Sequence, residues 1–190
     1  YNSSANQILA GAISGPGNVT KAATGQLTLS GANTYSGNTT VSAGALVLAN
    51  GGGLTFYVTD TSANKITGAG TATLKGRFTI DTSAVTLPTG NWTLVDATTK
   101  TFDAATFGLT GFTGPVGGVF TKVDGISTWT FNTATAVLNL TAPALITSIG
   151  ITGSASLIDN SAHTVLLYLP SGTAFATLAP TFTLSSGTCD

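Results

Sequence analysis

The sequence predicts an all-β protein whose first third coils as a solenoid of stacked rungs, and two observations support this. The first is composition: of 190 residues, 37 are Thr and 24 are Gly, a bias that favours strands and turns over helices. The second is the pattern Gly-x-Leu-x-Leu, which begins at Gly25 and again nineteen residues later at Gly44. A period near 20 residues is typical of solenoids.

Alternating apolar and small polar residues indicate the strands of this repeat. They predict strands at Gln7–Ala12, Gln26–Ser30, Thr39–Ser42, Ala45–Leu48 and Leu54–Val58. Clusters of Gly and Asn between them supply the corners. The nineteen-residue offset, applied one period earlier, falls on Ile8. We therefore expect Ile8, Leu27 and Leu46 to form one inner apolar ladder across parallel strands.

The stretch GQLTLSGANTYSGNTTVSAGALVLAN resembles the passenger-associated repeat of bacterial autotransporters, also called the autotransporter-associated β-strand repeat. The residues that carry the pattern are Gly25, Leu27, Leu29, Ser30, Gly31, Asn33, Thr34, Tyr35, Ser36, Gly37, Thr39, Val41, Gly44 and Leu46. The resemblance implies a right-handed parallel β-helix that is exported to the cell surface or secreted. Asn33 and Tyr35 would then lie at a corner, where Asn bonds to local backbone and Tyr covers the turn.

The remaining sequence divides into two further regions, giving domains at 1–66, 67–142 and 143–190. Strands are predicted in the second region at 70–74, 76–80, 91–95, 107–112, 119–123, 127–131 and 136–140, and Asp124-Gly125 predicts a hairpin turn. This region is similar to segments that follow such repeats in exported proteins, and we expect it to close the solenoid with antiparallel strands. The third region has predicted strands at 146–151, 155–158, 163–169 and 181–184. It resembles the start of a bacterial Ig-like module, and we expect it to be an incomplete copy.

Catalytic chemistry has little support in this sequence. His163 is the only His, so any catalytic triad would need it, and the sequence places no partner beside it. Cys189 is the only Cys, so no internal disulfide is possible. Asp60 and Asp81, one rung apart, form the only carboxylate pair that suggests glycosidase chemistry. We expect no enzyme activity, no cofactor and no bound metal, with a polysaccharide-degrading β-helix enzyme as the least favoured alternative.

The charge pattern favours a structural role outside the cell. Only 7% of the residues are charged and the net charge is −1, so nothing indicates nucleic-acid binding, and no apolar run is long enough for a transmembrane helix. We expect a structural protein of the bacterial surface or extracellular matrix, a subunit or segment of a β-rich fibre or matrix. Its partners would be further copies of itself, joined end to end or by strand addition, or adjoining parts of a longer surface protein.

Glycan binding is the main alternative to a structural role. A glycan-binding or adhesin module would use exposed aromatic rings, and its candidate contacts are Tyr35, Tyr57 and Trp92. The chain begins at Tyr1 without Met or a signal sequence, so we interpret it as either a mature product or a fragment.

Overall fold

The computed structural model describes residues 1–143, 145–150, 155–160, 164–169, 171 and 181–184. Every regular element in that part of the chain is a β-strand, which confirms the predicted all-β class. The chain divides into two compact units, Tyr1–Thr141 and Ala142–Asp190. His163 and Cys189 lie outside the described residues.

The first unit is built on a β-solenoid of about 4 turns, followed by antiparallel strands. Its strands are β1 Gln7–Leu9, β2 Val19–Lys21, β3 Gln26–Leu29, β4 Ala32–Asn33, β5 Thr39–Val41, β6 Ala45–Leu48, β7 Gly53–Thr59, β8 Ile66–Leu74, β9 Arg77–Ala84, β10 Gly90–Thr93, β11 Val95–Phe102, β12 Gly108–Leu109, β13 Thr113–Val116, β14 Val119–Asp124, β15 Ser127–Asn132 and β16 Val137–Thr141. Two parallel sheets form the solenoid walls. One has the order β1-β3-β6-β8-β5-β2 with β11 beside β8, and the other has the order β12-β9-β7-β4.

The inner apolar ladder contains two of the three residues predicted for it. Leu27 pairs with Leu46, which in turn pairs with Ala72, and all three side chains are buried. Ile8 was wrongly assigned to this ladder, because Gln7 is the residue that pairs with Leu27. The first interval is therefore twenty residues instead of nineteen. A one-residue slip moves a side chain to the opposite face of a strand, and Ile8 is accordingly 72% exposed.

The parallel sheet continues past residue 66 because β8 replaces two earlier strands at once. Its first residues pair with β5, and Thr71–Leu74 pairs with β6. Between these two paired segments, Gly68 adopts a φ of 115°. The chain continues there as one strand, whereas the earlier rungs have a corner between two strands. β11 follows β8 along most of its length, and β12 is the last strand in parallel pairing. The short strands β2 and β4 were not anticipated.

A five-stranded antiparallel sheet, with the order β10-β16-β15-β14-β13, follows the solenoid. Its Phe131 ring lies 5.7 Å from Phe102, 6.2 Å from Phe78 and 6.3 Å from Phe107, centroid to centroid, on the last solenoid rungs. The predicted hairpin is present, since Asp124 pairs with Ser127 across the turn. This sheet buries the apolar interior at the end of the last rungs.

The second unit contains two antiparallel strand pairs. β17 Ile146–Gly150 pairs with β20 Thr181–Leu184, and β18 Ala155–Asp159 pairs with β19 Thr164–Tyr168. These strands fall where the sequence predicted them, while the Ig-like assignment stays a prediction. Throughout the described residues there is no helix of the length and hydrophobicity needed to cross a membrane.

Candidate functional site

The rung-to-rung contacts of the repeat are the most organised feature of the molecule, and Asn33 is at their centre. Its side chain is 1% exposed. The Oδ1 atom accepts a hydrogen bond from the Ile13 N–H at 3.0 Å, and Nδ2 donates to the carbonyl oxygens of Gly31 at 2.8 Å and Gly53 at 3.0 Å. Since these three backbone groups belong to successive turns, one amide ties three rungs together.

Tyr35, two residues along, lies inside the corner instead of covering it from outside. It is 1% exposed, and its hydroxyl lies 2.5 Å from the Thr39 Oγ1. Burial raises the pKa of the Tyr35 hydroxyl, because the phenolate would lose its solvation there. The Tyr35 ring thus fills the interior, while its hydroxyl forms a hydrogen bond within the same corner.

Other asparagines bridge rungs at a different corner. Asn18 Oδ1 accepts from the Asn38 N–H at 2.7 Å, and Asn38 Oδ1 accepts from the Lys65 N–H at 2.9 Å. Asn6 Oδ1 receives the N–H of Gln26 in the same manner at 2.9 Å. Sequence reasoning missed these contacts, although the twenty-residue separation of Asn18 and Asn38 was a usable signal.

The glycines of the repeat lie directly against the backbone of the preceding turn. At each of four positions a Cβ atom would come within 2.3–2.5 Å of a carbonyl oxygen of that turn. The pairs are Gly25 with Ala5, Gly31 with Gly11, Gly37 with Gly17 and Gly44 with Gly25. No side chain fits at such distances. The glycines of the repeat therefore mark positions where two rungs are in contact through main-chain atoms alone.

The two candidate carboxylates, Asp60 and Asp81, each accept hydrogen bonds from backbone N–H groups. Asp60 accepts hydrogen bonds from the Thr86 hydroxyl and N–H, both at 2.6 Å, and from the Leu87 N–H at 3.1 Å. Asp81 accepts from the Ser83 N–H at 3.0 Å. These hydrogen bonds lower the pKa of both carboxyl groups. The general acid of a glycosidase has a raised pKa, so neither environment matches that role.

We expect the turn at Thr86 to loosen in acid because of Asp60. The folded pKa of Asp60 is below its ordinary value of 3.8, so its stabilising contribution is complete above that value. The contribution is lost as the pH falls through the folded pKa. The amide resonances of Thr86 and Leu87, followed by NMR from neutral pH downwards, should shift with that lowered midpoint. In Asp60→Asn the same resonances should show no such titration, and an unchanged titration would contradict the assignment.

The three candidate glycan contacts do not share one surface. Tyr35 is interior, and Trp92 is 6% exposed, stacked on Trp129 at 5.7 Å with its Nε1 donating to the Thr59 carbonyl oxygen at 2.9 Å. Tyr57 is half-buried, and its hydroxyl donates to the Thr34 carbonyl oxygen at 3.1 Å. Of the three rings, only that of Tyr57 reaches the surface of the solenoid.

Replacing Asn33 with Ala should destabilise the first unit by about 2 kcal/mol, because three hydrogen bonds are lost in a buried position, two of them to neighbouring rungs. Equilibrium urea unfolding measures this change. Asn33→Asp should be equally harmful, since a carboxylate cannot donate to the Gly31 and Gly53 carbonyl groups. An Asn33→Asp variant as stable as the wild type would show that these two donated bonds are unimportant.

The parallel pairing and the repeated inter-rung contacts place the first unit in the class of parallel β-solenoids. Within it, residues 19–48 match the family model described as the passenger-associated-transport-repeat. This match covers β2 through β6 and confirms the resemblance that the sequence pattern indicated. A repeat of this family indicates an autotransporter passenger, associated with the cell surface or secreted. Comparison with curated proteins and with solved structures found no match.

Proposed function

We propose that this chain is a structural segment of a bacterial cell-surface or secreted protein, in which the solenoid acts as a stiff spacer. The observation that supports this role is the direct main-chain contact between rungs at the repeat glycines, reinforced by the Asn33 amide. Rungs in such contact resist bending and stretching, because both motions break backbone hydrogen bonds cooperatively. The role requires no catalysis. A right-handed coil is the sense expected for parallel strands joined by crossovers.

The spacer would act in a larger assembly. β1 lies at one edge of the larger parallel sheet, and edge strands can pair with an added strand. A second copy or an adjoining part of a longer surface protein would continue the sheet at that edge. The scarcity of charge favours this packing, since little electrostatic repulsion opposes it. The Ig-like character of the second unit belongs to the same proposal, as a module completed by a neighbouring strand.

Microscopy combined with sedimentation tests the assembly role. Negative-stain images of the purified chain should show rods or fibres, and the sedimentation coefficient should rise with concentration. Ile8→Lys places a charge on the outer face of the β1 edge and should weaken this association without unfolding the protein. A discrete monomer at every concentration, with unprotected β1 amides in hydrogen exchange, would contradict assembly through this strand.

A further inference from the structure

Arg77 occupies an unusual position on the second parallel sheet. It is the only Arg of the chain, and it lies exposed on the outer face of β9. In the part of the chain that the structure describes, its guanidinium group makes no hydrogen bond and no ion pair. A guanidinium carries five N–H donors in a planar fork, which matches a carboxylate through two parallel hydrogen bonds.

The surroundings of Arg77 leave this fork open to a ligand. Its partners on the adjacent strands are Gly53 on β7 and Gly108 on β12, and neither carries a side chain. An open trough of about 320 Å³ runs beside it, lined by residues that include Gly52, Gly53 and Gly76. We call this feature the Arg77 trough. A ligand can approach the guanidinium here without displacing any protein group.

The next positions along the same face carry hydroxyl groups and then an aromatic ring. Thr55, Thr79 and Thr110 form the row beside Arg77, with 3.2 Å between the Oγ1 atoms of Thr79 and Thr110. Tyr57 lies one position further along β7, opposite Asp81. Alternate residues of a strand are about 6.6 Å apart, so a guanidinium, a hydroxyl row and a ring follow one another at regular steps. The Asp81 carboxylate disfavours a second carboxylate at the Tyr57 end, so a sugar ring there would point its own carboxylate away from the sheet, and Arg77 is the anion-binding end.

We propose that the Arg77 trough binds an acidic polysaccharide, with a sugar carboxylate on the Arg77 guanidinium, sugar hydroxyls on the threonine row and a sugar ring near Tyr57. A peptide strand fits less well beside Arg77, because Gly53 and Arg77 already have strand partners on both sides. Hydroxyl side chains and a partly exposed ring match a polyol instead. The proposal goes beyond the spacer role and does not depend on it.

Calorimetric titration with polygalacturonate, with its methyl-esterified form and with polyglutamate tests this proposal. The wild-type protein should bind polygalacturonate and should bind neither the neutral ester nor polyglutamate comparably. Arg77→Gln should weaken binding about tenfold or more, since a charge-assisted bidentate pair is lost. Lys75→Gln removes the same charge from an exposed residue outside the trough lining and should leave the affinity nearly unchanged.

A second variant blocks the trough while keeping the charge. At Gly53 an added Cβ would meet its nearest atom at 3.6 Å, an ordinary contact, so this position accepts a Cβ atom and Gly53→Thr is the variant chosen. It should weaken binding to a similar extent with an unchanged circular dichroism spectrum. The proposal is overturned if polygalacturonate does not bind or if Arg77→Gln and Lys75→Gln weaken binding equally. It is also overturned if the ester or polyglutamate binds as tightly as polygalacturonate.

Discussion

Leu27→Asp should destabilise the first unit by about 4 kcal/mol or more, the largest effect we expect from any single replacement. Leu27 is fully buried between Gln7 and Leu46 on the inner ladder. A carboxylate at that position would be buried without a partner, or would bind a proton at some cost in stability. Urea unfolding followed by the fluorescence of Trp92 and Trp129, which both lie in this unit, measures the loss.

Ile8→Asp is the matched control for this experiment. A simple nineteen-residue period would place Ile8 beside Leu27, whereas the structure places it on the outer face beside Thr28. An exposed replacement of this kind should change the free energy of unfolding by no more than about 0.5 kcal/mol. If Ile8→Asp proves as harmful as Leu27→Asp, the register of β1 is not the one described.

Gly37→Ala should destabilise the same unit by about 3 kcal/mol, although it adds a single methyl group. The Cβ atom would lie 2.4 Å from the Gly17 carbonyl oxygen and 2.6 Å from Asn18 Oδ1. The backbone cannot yield at one rung without disturbing the hydrogen bonds of the next. Thermal unfolding measured by circular dichroism detects a change of this size readily.

Gly17→Ala is the control one rung earlier. Gly17 occupies the equivalent place twenty residues before Gly37, yet an added Cβ meets nothing within 4 Å there. This replacement should be neutral or slightly stabilising, because Ala restricts the unfolded chain more than Gly does. Equal losses in the two variants would mean that backbone conformation, and not contact between rungs, explains the repeat glycines.

The ladder shows how far periodicity alone can predict this fold. The Leu27–Leu46 register followed from the repeated pattern, because β3 and β6 are true copies nineteen residues apart. Ile8 was misplaced because the preceding rung is one residue longer. The sequence did not predict β8 as a single strand. At Gly68 the backbone has a positive φ in place of the corner of earlier rungs, and periodicity in the sequence does not reveal such a change. The three-residue strand β2 was missed because it is short and places Lys21 in a buried position.

The side-chain contacts were harder to predict than the strands. The repeat pattern singled out Asn33 and Tyr35, but it could not show that Asn33 would reach three rungs or that Tyr35 would point inward. Both outcomes depend on how closely neighbouring turns approach, which is a tertiary property. The Arg77 trough was invisible for the same reason, since Gly53 and Gly108 are 55 residues apart in sequence and meet Arg77 only across the sheet.

The unequal lengths of the rungs have a consequence for how such a protein can vary in length. Equivalent residues are 20 apart from Gln7 to Leu27, 19 from Leu27 to Leu46 and 26 from Leu46 to Ala72. Each narrow turn packs between two turns of similar length and pattern. A tandem copy of one narrow turn would therefore keep the inner apolar ladder, the repeat glycines and the bridging asparagines. The wider turns pack Phe78 and Phe102 against Phe131 of the antiparallel sheet and have no equivalent neighbour. Duplication or deletion of whole rungs is therefore expected among the narrow turns. Related proteins should differ in length mainly in that part of the solenoid.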